Sequence, residues 1–140
     1  MAPDEREACL APRCTLITPA DLEAFTGTTR WYRHQPHLLL TDGARYAAQE
    51  LRCYWLYDII WSVLPAIRDQ AQGYAVVELT KAGTDHEAVV TIRDATGEED
   101  DARVIHRQAI PYTDFPWPTF TVFVGPGGDQ EWVILLPSEY

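Results

Sequence analysis

Asp58 stands in CYWLYDIIWSVL, residues 53–64, with Tyr54, Trp55 and Trp61 close by in the chain. At about 100° per residue, a helix through this segment gathers Tyr54, Trp55, Asp58, Trp61 and Ser62 on one side. Leu56, Ile59, Ile60, Val63 and Leu64 fall on the other. A carboxylate framed by aromatic rings has three readings: buried and held by Tyr, Trp or Arg donors, lining a ligand or catalytic pocket, or part of a partner surface. Upstream, FTGTTRWYRHQPHLLLTDG supplies Arg33, His34, His37 and Asp42 within nineteen residues. In principle these offer a base, an orienting carboxylate and an anion-binding guanidinium. The spacing itself names no reaction. His34 and His37 are separated by Gln35-Pro36, so they do not share a helical face, and no Ser or Cys nucleophile lies in a recognisable turn. Packing is the other reading of this stretch, with Trp31 and Tyr32 plugging the core and Arg33 and His34 bonding backbone carbonyls.

Two further segments carry candidate binding groups. In IPYTDFPWPTF two prolines bracket Trp117, and Thr113-Asp114 can close a local turn, so Trp117 sits on a stiff loop. It either anchors an interface or closes the end of a sheet. Glu98, Glu99, Asp100 and Asp101 form an acidic hairpin tip. It lacks the alternating ligands and central glycine of a calcium loop, so it reads as solvated charge and no metal is expected. Cys9, Cys14 and Cys53 match no zinc spacing and cannot all pair within one chain, which fits reduced thiols. No cofactor is expected.

The elements that must position these groups follow from period and punctuation. Residues 1–15 have no period and read as a loose arm, and residues 16–140 as one domain. Thr18-Pro19-Ala20-Asp21 is a helix start, with Leu22 and Phe25 on the apolar side. Thr41-Asp42-Gly43 is a second, with Asp42 as cap, and its pattern continues to Pro65. This predicts one long helix, kinked near Arg52, or two joined end to end. From Tyr74 the period changes to two. Strands are expected at Ala75–Leu79, Ala88–Ile92, Arg103–Ile110, Phe120–Val124 and Trp132–Leu136, with 125–129 as the last hairpin loop, in an antiparallel meander. Helices first and strands afterwards imply an α+β fold: N-terminal helices, one of them long, on one face of an antiparallel sheet of about five strands.

Eleven lysines and arginines against 21 aspartates and glutamates give a net charge of −10. Such a chain repels phosphate backbones, so direct nucleic-acid binding is not expected, and a protein with a basic surface is the fitting partner. The first residues lack the apolar run of a secretory signal, and no stretch reaches the length of a membrane span, so a cytoplasmic protein is expected.

FTGT, WYRH, LLTDG-x-RY, YWLYDI, IPYTDFP and the terminal LLPSEY occur in this order. Together they resemble an uncharacterised bacterial and phage family, domain of unknown function 6876, over about Leu16 to Tyr140. The chain departs from the pattern in its extension before Leu16, in the aliphatic LLL at 38–40 and in the prolines around Trp117. The resemblance implies a compact single domain, often encoded on mobile elements, and carries over no activity, cofactor or catalytic residue. The leading reading is therefore a non-enzymatic protein-interaction module, one form of which is an inhibitor of a basic nucleic-acid enzyme. The rival is a small-ligand binder or enzyme with a pocket around Asp58, Tyr54, Arg33 and His34. A third reading is a homodimer sealed by Trp132–Leu136 at a sheet edge.

Overall fold

The computed structural model describes residues 17–71, 73–81, 86–95, 104–128 and 130–139. Its elements in chain order are α1 (Pro19–Glu23), β1 (Tyr32–Gln35), β2 (Leu38–Leu40), α2 (Asp42–Leu51), α3 (Tyr54–Ser62), α4 (Leu64–Gln70), β3 (Ala75–Lys81), β4 (Ala88–Asp94), β5 (Val104–Ile110), β6 (Thr119–Gly128) and β7 (Glu131–Leu135), closed by a 3-10 turn over Pro137–Glu139. The fold is mixed α/β: four helices and a sheet of seven strands among the described residues, in the order β1-β2-β7-β6-β3-β4-β5.

This corrects the expected sheet of about five strands in two ways. The stretch read as a packed turn is a hairpin, β1 and β2, and β2 runs parallel to β7 through Leu38↔Trp132, Leu39↔Val133 and Leu40↔Ile134. Leu38 and Leu40 of LLL point into the core, while Leu39 points to the opposite face. The five later strands form where their alternation places them, but not as a meander. β3, β4 and β5 are neighbours, and the chain then crosses back to set β6 antiparallel to β3. A fourth strand returning beside the first is the Greek-key arrangement. β7 lies between β2 and β6, so a dimer sealed by the last strand is not available, and the sheet's edges are β1 and β5.

The stretch from Asp42 to Pro65 is not one long helix but the alternative of two, α2 and α3, joined at Arg52, and α4 follows from Leu64. Leu51 ends α2, Arg52 takes a left-handed conformation at φ 56° and ψ 47°, and the Cys53 N–H reaches back to the Ala48 carbonyl at 3.1 Å. That bond, six residues around, is a Schellman-type end made without its usual glycine. Pro65 does not terminate the pattern. It opens α4, where its missing N–H is no loss. Thr41, not Asp42, caps α2, its hydroxyl accepting from the Ala44 N–H at 3.2 Å.

One face of the sheet meets the helices. Leu38, Leu40, Val77, Leu79, Val90, Ile92, Val122, Val124 and Ile134 share a core with Leu56, Tyr57, Ile60, Leu64 and Ile67. Alternation sends Leu39, Val133, Leu135 and Phe123 to the opposite face, where they are half-buried.

Candidate functional site

Four of the six short motifs, FTGT, WYRH, LLTDG and LLPSEY, are tied together around the N-terminus of α2. Asp42 Oδ2 accepts from the Thr29 N–H at 2.9 Å and the Thr29 hydroxyl at 3.0 Å, while Oδ1 accepts from the Tyr32 hydroxyl at 3.0 Å. The Asp42 N–H donates in turn to Thr28 Oγ1 at 2.8 Å, and the Arg45 guanidinium lies 4.4 Å from the centre of the Tyr32 ring. The Thr29 N–H is the main reason the Asp42 carboxyl is held below its ordinary value of 3.8, against an opposing effect of burial. From the other end of the chain, Glu139 accepts from the Thr41 hydroxyl at 2.5 Å, the Leu136 N–H at 2.9 Å and the Gly43 N–H at 3.0 Å. A carboxylate there meets the positive end of the helix dipole. Gly43 is required by this approach, since a Cβ on it would stand 2.7 Å from Leu136 Cδ1 and 2.8 Å from Glu139. These motifs are structural frame.

The hairpin brings together most, but not all, of the proposed pocket around Asp58. His34 Nε2–H donates to Asp58 Oδ1 at 2.7 Å, Gln35 adds a longer bond of 3.4 Å, and the Tyr54 ring stacks on His34 at 5.7 Å. Tyr57, wholly buried, meets His34 edge-on and donates to the Ala44 carbonyl at 2.9 Å. Arg33 turns away to Glu131 at 3.0 Å. Asp58 is not the buried carboxylate of the first reading: its side chain is 55% exposed. Trp61 leaves the group, its indole N–H clamping the hairpin turn at the Pro36 carbonyl, 3.0 Å away. Contrary to the packing reading, Trp31 is 57% exposed, and Arg33 and His34 bond carboxylates, not carbonyls.

A larger concavity than those around Trp55, Trp61 and Trp117 lies elsewhere, on the sheet face opposite the helices. A cleft of about 760 Å³ is floored by Leu39, Val133, Leu135 and Gly125, and walled by Trp31 and Pro126. Tyr74 closes one side and tilts onto Phe123 at 5.1 Å. Glycine keeps the floor low. A Cβ at Gly127 would lie 2.5 Å from Val133 Cγ2, and one at Gly125 would lie 3.3 Å from the Tyr74 Cβ. The residues placed in a hairpin loop are thus part of β6, with an irregular register between Pro126 and Gly128. The polar groups of the cleft, Thr28, Thr41 and Glu139, stand in the frame described above. Among the described residues its lining includes one carboxylate and no cation.

Other expected groups fall as follows. Trp117 is half-buried and packs edge-on against Phe115 at 6.3 Å and Phe120 at 6.0 Å, closing the end of the sheet. Trp55 lines a separate cleft of about 450 Å³ with Arg52, Tyr112 and Asp114. Cys53 is buried, and burial pushes its thiol up to about 12, which removes it as a nucleophile. Glu98, Glu99, Asp100 and Asp101, like Cys9 and Cys14, lie outside the described residues. Among those described, no group of His, Cys, Asp or Glu is placed to hold a metal, and no helix is long and apolar enough to cross a membrane. Sequence reading took Trp31 for a core residue and gave no role to Leu39, Val133 and Leu135. For Val133 and Leu135 the signal was alternation within a strand of which only the inward residues were taken as informative, and Leu39, in a run of three leucines, had none.

The fold and these sites define a mixed α/β protein with one sheet face packed under helices and the other open and cleft-bearing. Residues 17–140 match the family of unknown function DUF6876, and the chain belongs to it. No curated protein and no solved structure matches the chain.

Proposed function

We propose that the protein is a non-enzymatic module that binds another protein on the open face of its sheet. One observation carries this reading: a mainly apolar concavity of about 760 Å³ on the sheet face opposite the one that shares the core with α3 and α4. Clefts of this size, lined by apolar groups with a few polar ones at one end, are characteristic of binding sites. Contiguous apolar surface is seldom left open on a soluble chain without a use. The net charge of −10 favours a partner with a basic surface and disfavours nucleic acid. The test is capture by the tagged protein from a host lysate, comparing wild type with Trp31→Ala and Val133→Lys. Both positions avoid the helix-facing core, and thermal melting checks that each variant is folded. Loss of a captured basic protein in both variants is expected, and capture unchanged in both would overturn the reading.

A second reading rests on a separate observation, the 2.7 Å contact of His34 with Asp58 beside the Tyr54 ring. It makes this edge of the sheet a small-ligand or substrate site. If an Asp58→Asn variant kept every ligand-induced rise in melting temperature found for wild type in a metabolite screen, that reading would fall.

A further inference from the structure

We infer that the cleft on the open sheet face accepts uncharged apolar side chains, an aromatic ring among them, from a short partner segment flanked by basic residues. This rests on the protein-binding reading above and assigns the chemistry of what enters.

The lining decides what the occupant can be. Phosphate and carboxylate groups are disfavoured because, among the described residues, no lysine, arginine or histidine lines the cleft to hold them. A buried cation is no better placed. Among the described residues Glu139 is the one carboxylate of the lining, and its oxygens already accept three bonds, from Thr41, Gly43 and Leu136. An ammonium group entering the cleft would lose its water and find that carboxylate already committed. The part that enters is therefore uncharged. An aromatic ring suits the walls, since Trp31 and Tyr74 flank a floor of Leu39, Val133 and Leu135 and can meet a ring edge-on or offset.

Size and preorganisation point to side chains on a segment. An apolar cavity of about 150 Å³ admits benzene, so about 760 Å³ has room for several such groups. Trp31 is 57% exposed, yet the chain leading to it is fixed, because Thr28 Oγ1 donates to the Arg30 carbonyl at 2.6 Å and Thr29 is bonded twice to Asp42. A wall held in place before binding loses little entropy on contact, which is how an anchor pocket differs from a chance patch. Charge then sets the flanks. On a chain of net charge −10, residues just outside the cleft gain by being basic, and that gain acts at long range and falls with salt.

The test is titration of the ¹⁵N-labelled protein with three capped tetrapeptides: arginine-tryptophan-leucine-arginine, glutamate-tryptophan-leucine-glutamate and arginine-glycine-serine-arginine. The expected result is displacement of the Leu39, Gly125, Gly127 and Val133 amide signals by the first peptide. Its affinity should exceed that of the second about tenfold near 10 mM ionic strength and by clearly less near 0.15 M. The third should leave those amides in place. Trp31→Ala should weaken the first peptide several-fold. Equal affinity for the first two peptides, equal affinity for the first and third, or displacements away from the cleft would each overturn the inference. If no peptide binds while partner capture still depends on Trp31 and Val133, the inference fails and the protein-binding reading stands. If capture is also indifferent to both residues, the two fall together.

Discussion

Asp42 ties three stretches into one frame, and the ties run through its ionised form. Both oxygens accept, from the Thr29 N–H and hydroxyl on one side and the Tyr32 hydroxyl on the other. Asparagine at this position keeps the shape but offers a single acceptor oxygen, so part of the set is lost. The folded carboxyl titrates below 3.8, and that fixes the sign of the pH dependence. The carboxylate contributes fully above the unfolded value, and its contribution disappears as pH falls through the lower folded value. Asp42→Asn should therefore lower the urea midpoint at neutral pH, with the difference from wild type closing on acidification below about pH 4. A difference that stays constant between pH 3 and pH 7 would show that the charge of Asp42 plays no part. Because Thr28 and Thr29 lead to Trp31, the same variant should also weaken capture of the cleft's partner.

At the scale of elements, the break between α2 and α3 separates the helix that carries the frame from the helix that carries Asp58. Its geometry rests on Arg52 at φ 56°, a conformation that crowds the Cβ of any L-residue at a cost of roughly 1–2 kcal/mol. Arg52→Gly should be more stable than Arg52→Ala by about 1 kcal/mol, the usual entropic penalty of glycine offsetting part of the relief. Both variants lose the arginine side chain, so their difference in urea midpoint isolates the backbone. Equal midpoints would mean the turn is not strained. The same position shows why the sequence was only partly legible. Helix ends announced by glycine or proline are easily read, and this one uses arginine, so the reading left a kink or a join open without locating the break's form. β3 to β7 were readable from strict alternation with turns between them. β1 and β2 were not, because they are four and three residues long, meet across Pro36, and include in LLL a run with no alternation at all. Sheet order escaped altogether, since strand alternation says which residues face inward and nothing about which strand lies alongside. The His34–Asp58 contact was anticipated only as a requirement of the pocket reading, and it forms because the unread hairpin lays β1 beside α3.

For the molecule as a whole, charge acts on stability and on binding with opposite signs. With 21 acidic and 11 basic residues, the folded chain holds an excess of ten negative charges at close quarters, while the unfolded chain spreads them apart. Salt bridges such as Arg33 with Glu131 and Arg93 with Glu78 oppose this, but they are partly exposed and each is worth little. Repulsion should dominate. Raising ionic strength from about 10 mM to about 0.15 M shortens the screening length from about 30 Å to about 8 Å, so the melting temperature should rise, by roughly 3 °C for each kcal/mol of repulsion removed. Sodium and choline chloride should give the same curve, because screening needs no bound cation. A rise seen with sodium alone would instead indicate a specific ion site. A fall would mean that the ion pairs outweigh the repulsion. Over the same range, capture of a basic partner should weaken as the protein itself becomes more stable. Loss of binding at higher salt therefore cannot be put down to unfolding, and the divergence of the two curves separates attraction between surfaces from the stability of the module that carries one of them.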